Sequence, residues 1–382
     1  MSNRQLTTLG IVAALALAWA IIQTQLSHRR SPQAGGPSYL IQGLDTDAVA
    51  QIQLGKANDA SALTRKGKSF VASNRNDYPA QTDKINELFR KCLEVQVSGR
   101  LVTENPANHE DLGVTEAQAR NVVRFLKRAD GENAKDPYQL ITGLVIGERN
   151  AEAGGSYVRL IDSNKVYLAL DVPYLQSAAT DYIDKQLTKV DKNNILRVSV
   201  KSADDAYTLQ KDGAGVTCLT EIPAGKKQKE YDVDRVFEAL SSLSFSDVKS
   251  AQDSELQDLA FDAAYACELK DSTIYTARIA EKDGKSYLSI DAEFMDTTPV
   301  TVERGGNESE EELKKKEAKL LAQEAAAIFS QKHKPWLYEL ASYQAGNLTK
   351  KQGDLLEDKP KPEPEETAAE ESRDTPAEQP AP

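Results

Sequence analysis

Residues 49–54 read VAQIQL and residues 195–200 read ILRVSV. Both alternate apolar and polar side chains, the period of a strand with one buried face. The sequences downstream of the two stretches are also alike. After the first come Ala62 to Val71 with a turn at Lys66-Gly67, then Tyr78-Pro79, then Ile85, Leu88, Phe89 and Cys92 at helical spacing. After the second come Ala206 to Gly213 with a turn at Asp212-Gly213, then Tyr231, then Val233, Val236, Phe237, Leu240 and Leu243 on a second helix. Asp232 stands where an N-cap would.

The parallel continues outward. Val95-Gln-Val97 and a polar segment from Glu104 to Leu112 and Gly113 come after the first helix. Phe245, Val248 and a polar segment from Asp253 to Leu259 come after the second. Period-two strands are next: Asn121 to Leu126, Tyr138 to Ile146, Tyr157 to Leu160 and Lys165 to Leu170 in one copy. In the other they are Ala264 to Leu269, Thr273 to Ile279 and Ser286 to Ala292. Gly131, Gly154-Gly155 and Asp283-Gly284 mark hairpin turns. The first copy closes on Val172-Pro-Tyr-Leu175, Tyr182 and Leu187-Thr-Lys189, the second on Pro335-Trp-Leu-Tyr338, Tyr343 and Leu348-Thr-Lys350. Segregated helices and strands predict an α+β class, each copy one antiparallel sheet with a helix packed on it.

This tandem duplication divides the chain. Residues 45–190 form the first repeat and 191–350 the second, which carries a charged helical insertion at 303–332. Ser309 followed by three glutamates predicts the start of that helix. Its apolar stripe is thin: Leu313, Leu320, Leu321 and Ile328. Residues 31–44 read as a linker, and 351–382 as a disordered tail rich in Pro and Glu.

At the amino end, residues 9–22 are unbroken apolar sequence: LGIVAALALAWAII. With their flanks they reach about the twenty residues that span a bilayer. Leu9, Ile11, Val12, Leu15, Trp19, Ile21 and Ile22 are the lipid-facing candidates, within an anchor covering residues 1–30. The alanines inside the run offer signal-peptidase spacing, but Ile21 and Ile22 continue the run past them, which favours a retained signal anchor over a cleaved signal peptide. Arg4 lies on one side and Arg29 and Arg30 on the other, so charge alone gives no orientation. A short tail before a single span stays in the cytoplasm. The expectation is therefore a single-pass bacterial inner-membrane protein with its bulk in the periplasm or otherwise extracytoplasmic.

The 382 residues carry a formal net charge of -12. Phosphate binding needs clustered Lys and Arg, so nucleic acid is excluded as a partner. The short basic runs at Lys226-Lys227 and Lys314 to Lys316 sit among acids and read as solvated surface. The three cysteines form no CxxC pair. Cys92 lies on the apolar helix face and reads as core, whereas Cys218 and Cys267 fall on strands, and a disulfide between them is compatible with an oxidising compartment.

Catalytic patterns are sparse. Gly143 and Gly147 lie within a strand and open no helix, so they are no nucleotide fingerprint. Tyr182 and Tyr343 read as packing residues. The nearest thing to a site is the loop from Asn105 to Gly113. His109 beside Glu110 or Asp111 offers an acid–base pair there. The same residues also suit a turn in which Asn105 and Asp111 cap backbone groups. The expectation is a protein without cofactor or metal that is not an enzyme.

Several short motifs resemble the bacterial domain-of-unknown-function family 4340: Asp77-Tyr-Pro-Ala80, Glu104-Asn-Pro-Ala107, Leu112-Gly113, Val145-Ile-Gly147, Ser156-Tyr-Val-Arg159 and Pro335-Trp-Leu-Tyr338 with Tyr343. A tryptophan usual before the Tyr-Pro-Ala step is replaced, with Phe70 the nearest aromatic. The resemblance implies an anchored, non-catalytic accessory subunit, associated in many members with an ABC-type transporter linked in some bacteria to gliding motility. The partners expected are membrane lipid, through the N-terminal helix, and a protein of the membrane or envelope. An extracytoplasmic ligand- or polymer-binding module is the alternative, and a hydrolase working through His109 a third reading.

Overall fold

The computed structural model describes residues 38–56, 60–129, 136–300 and 309–359. The anchor segment, the Gly131 turn and the tail beyond Lys359 lie outside them. No helix among the described residues is long and apolar enough to cross a membrane. The fold is α+β, with mostly antiparallel sheets. It divides into two compact units: Met1–Leu187 with Phe245–Asp253 and Trp336–Tyr338, and Thr188–Ser244 with Ser254–Pro335 and the chain from Glu339 onward.

The first unit contains β1 (Ser38–Tyr39), β2 (Gln51–Leu54), β3 (Ser61–Lys66), β4 (Ser69–Ala72), β5 (Tyr78–Pro79), helix α1 (Thr82–Leu93), β6 (Gln96–Val97), β7 (Leu101–Thr103), β8 (Asn121–Arg128), β9 (Tyr138–Arg149), β10 (Ser156–Leu160) and β11 (Val166–Ala169). Nine of these strands form one sheet, ordered β5-β4-β3-β2-β8-β9-β10-β11-β7. The period of VAQIQL is realised here: Ile52 and Leu54 are fully buried. Helix α1 buries Ile85, Leu88, Phe89 and Cys92, the residues its spacing singled out. Phe89 stacks on Phe125 of β8 at 5.4 Å. Lys91 pairs with Glu87 and Arg90 with Glu94 on the outer face, one turn apart.

After β12 (Gln186–Thr188), the second unit begins with β13 (Ile195–Lys201), β14 (Ala206–Lys211), β15 (Thr217–Leu219), β16 (Lys226–Gln228) and helix α2 (Glu230–Phe237). The short strands β17 (Leu243–Ser244) and β18 (Asp247–Ser250) precede β19 (Ala263–Leu269), β20 (Thr273–Lys282) and β21 (Lys285–Phe294). Within this unit the strands run β15-β14-β13-β19-β20-β21. The β20–β21 turn pairs Lys282 with Lys285, with Asp283 and Gly284 at φ 52 and 73. That is the two-residue hairpin the dipeptide announced. Helix α3 (Glu310–His333), β22 (Trp336–Leu340), helix α4 (Ser342–Leu348) and β23 (Leu356–Asp358) complete the chain.

Several expectations are corrected. Asp232 does not cap α2; the helix starts at Glu230 behind Lys229, and Asp232 instead pairs with Lys350 at 2.6 Å. Ser309 does cap α3, in a reciprocal box with Glu312. A helix with only a thin apolar stripe is expected to stand exposed, and on α3 Leu313, Leu320, Leu321 and Ile328 are exposed, while Ala326 and His333 form its buried side. Tyr182 is buried, but Tyr343 stands exposed on α4. The start of the supposed tail is ordered. Leu355 is fully buried, and β23 pairs with β16, setting Lys226 against Asp358 at 2.8 Å and Lys227 against Glu357 at 2.9 Å. The basic run at 226–227 is thus a charge match for the acidic segment, which composition alone could not reveal.

No disulfide forms between Cys218 and Cys267; both are free. Cys218 lies on β15 and Cys267 on β19, three strand spacings apart. That is about 14 Å, roughly twice the Cα separation a disulfide tolerates. Burial pushes the thiols of Cys92 and Cys267 up to about 12. In the native protein, therefore, no more than one thiol, that of Cys218, reacts with a maleimide at pH 8, and three react after denaturation. Mass spectrometry of the labelled protein checks this.

Candidate functional site

The loop from Asn105 to Val114 can be built up atom by atom. Asn105 Oδ1 accepts the Ala107 amide at 3.1 Å and so caps the short turn Pro106–Asn108. Gly113 takes φ 61, open to glycine. Its amide donates to the Glu110 carbonyl, and the Val114 amide donates to that of His109. The loop then covers a small core of Val114, Ala119, Val122, Val145 and Val166.

His109 is buried, and its Nε2 lies 3.1 Å from the Asn164 carbonyl. A carbonyl only accepts, so Nε2 carries the proton and donates. Its partner is backbone, not Glu110 or Asp111. Glu110 accepts from the Gln118 side chain at 3.0 Å, and Asp111 is exposed. The three residues that sequence brought together, Asn105, His109 and Asp111, therefore share a loop, and within it His109 bonds the Asn164 carbonyl while Asn105 caps the turn at Ala107.

Sequence reasoning passed over Arg159 as a participant here. Its guanidinium is buried, and Nε donates to the Val114 carbonyl at 2.7 Å. Nη1 donates to Leu160 and Ile161 carbonyls at 2.9 and 3.1 Å and reaches that of Ser163 at 3.4 Å. Arg159 and His109 together strap the 105–114 loop to the turn between β10 and β11. Glu116 lies nearby and pairs with Arg124, which also donates to the Gly55 carbonyl at 3.1 Å. Burial lowers the pKa of Arg159 and Glu116 opposes that shift. The available signal was chemical: an arginine within the apolar alternation of Ser156 to Leu160 must find buried acceptors.

A second constellation lies in the first unit. Tyr78 packs edge-on against Phe245, Trp336 and Tyr338, with ring centroids 5.8, 4.9 and 6.3 Å away. Tyr78, Phe245 and Tyr338 are buried, and the Tyr78 and Tyr338 hydroxyls are hydrogen bonded. Edge-to-face rings of this kind stabilise a core rather than present a ligand cage. Among the described residues no group of three or more His, Cys, Asp or Glu is placed to hold a metal ion.

The class these features define is an α+β protein in which His109, Arg159 and Tyr78 each make contacts within the fold. A family profile described as domain of unknown function (DUF4340) matches residues 71–264, half of the chain, and the chain belongs to that family. No curated protein and no solved structure matches it.

Proposed function

We propose that this chain is a non-catalytic, membrane-anchored extracytoplasmic accessory or scaffold protein of the bacterial inner membrane, built by tandem duplication. The anchor is the apolar run of Leu9 to Ile22. The duplication draws support from strand order. The series β4-β3-β2-β8-β9-β10 and the series β15-β14-β13-β19-β20-β21 run through their sheets in the same succession. In each copy the helix, α1 or α2, comes after the first three strands of its series and one further short strand, β5 or β16. Helix α3 has no counterpart among the described residues of the first copy and would be the insertion.

One observation carries the accessory reading: His109, set among turn-forming acids, donates its Nε2 proton to the Asn164 backbone carbonyl. The partner is a protein of the membrane or envelope, and the family resemblance points to an ABC-type transporter. A binding module for a ligand or polymer is the second reading, favoured by an open cavity of about 690 Å³ beside Tyr39 and Leu93.

His109→Gln tests the reading, because glutamine keeps a donor for Asn164 and removes the imidazole. It should complement a deletion strain as well as the wild type, whereas deletion of residues 1–30 should not. A hydrolase would lose about 10²- to 10⁴-fold in rate with its general base, and complementation would fail.

A further inference from the structure

Five large apolar side chains of the first unit are exposed among the described residues: Tyr39, Leu101, Val102, Leu170 and Tyr174. They do not scatter. Tyr39 lies on β1, which pairs with β6. The residue after β6, Ser98, donates its amide to Leu168 of β11 at 3.2 Å. Strand β7, carrying Leu101 and Val102, pairs with β11 and forms the outer edge of the nine-stranded sheet. Leu170 and Tyr174 come directly after β11 and are 70% and 78% exposed. A shallow cavity of about 510 Å³ brings Tyr39 together with Asp171 and Pro173. All five therefore occupy one margin of the unit, the β7 end of its sheet.

We infer that this margin contacts the lipid interface of the membrane, an inference that rests on the anchored reading above. The tether is the reason. Residues 23–37 separate Ile22 from Ser38, and Ser38 is the first residue of the margin itself. Fifteen residues reach at most about 50 Å even when fully extended. The margin is thus held near the bilayer surface whenever the apolar run is inserted. Its chemistry suits that depth. Tyrosine places an apolar ring and a polar hydroxyl at the headgroup level, and leucine reaches the acyl boundary. The charges beside it are already neutralised in part, Arg90 by Glu94 at 2.7 Å and Lys91 by Glu87 at 2.8 Å. Contact would therefore depend on apolar insertion more than on anionic lipid.

The test uses the full chain in vesicles of phosphatidylcholine and phosphatidylglycerol, with Cys218→Ser to remove the half-exposed thiol. An environment-sensitive fluorophore is placed at Leu170→Cys, at Tyr174→Cys and, as control, at Lys68→Cys in the β3–β4 turn toward the opposite end of the same sheet. Lipids carrying a spin-label quencher near the headgroup should quench positions 170 and 174 at least threefold more than position 68. Equal quenching at all three positions, or none at 170 and 174 in protein that resists carbonate extraction, overturns the lipid contact and leaves the anchor standing. Protein stripped from the vesicles by carbonate overturns the anchor, and the contact with it.

Discussion

Arg159→Ala lowers the stability of the first unit by about 3 to 5 kcal/mol, because a buried guanidinium donating to several carbonyls is lost and each hydrogen bond to a charged group is worth about 1.5 to 3 kcal/mol. The residue donates to carbonyls of Val114, Leu160 and Ile161 and reaches that of Ser163. Truncation removes the guanidinium these buried carbonyls share, and each buried group left unsatisfied costs about 1 to 3 kcal/mol. It also removes the cation near Glu116. Arg159→Lys should recover less than half of the loss, because an ammonium on a flexible stem cannot serve acceptors on two sides as a planar fork does. Chemical denaturation of both variants, followed by tyrosine and tryptophan fluorescence, checks the order wild type, Lys, Ala. Equal stability of Ala and wild type would show that the loop is not strapped as described.

Gly155→Ala should cost a comparable amount for a different reason. Gly155 adopts φ +93, and a Cβ there would lie 2.2 Å from the Ala169 carbonyl oxygen and 2.9 Å from the Leu170 Cα. The left-handed conformation costs a non-glycine residue about 1 to 2 kcal/mol. Forcing backbone apart adds about 1 to 3 kcal/mol. Strands β10 and β11 pair at Ser156–Ala169, beside the clash, so the register there should loosen first. Gly154→Ala is the internal control: it shares positive φ but has open space around it. A thermal melt should rank the variants wild type, Gly154→Ala, Gly155→Ala. The neighbouring glycines look alike in sequence, and only the three-dimensional path of β11 separates them.

That contrast shows what was legible in the chain. Ile52, Leu54, Val198 and Val200 were readable as core because one face of a strand repeats every second residue, and all four are buried. The α1 face and the Asp283-Gly284 turn were readable because local backbone geometry sets them. Three features were not. Long-range charge pairing placed Lys226 and Lys227 against residues 357 and 358, far along the chain. The stripe of α3 has the spacing of a packing face, yet the side that meets β21 is made by smaller residues, with Ser330 Oγ donating to the Ala292 carbonyl at 2.6 Å. The role of the 105–113 loop turned on Asn164 and Arg159, which lie more than forty residues away. Local pattern identifies turn formers, but only tertiary contact decides whether a histidine among them is a base or a strap.

Whether the protein is an anchored accessory subunit is tested most directly by a crosslinking pull-down of the full-length chain from native membranes, beside a variant lacking residues 1–30. The anchored form should recover defined membrane-protein partners, transporter subunits among them, and the truncated form should lose them. Recovery of envelope polymer or a small ligand alone, equally with both forms, would contradict the accessory role.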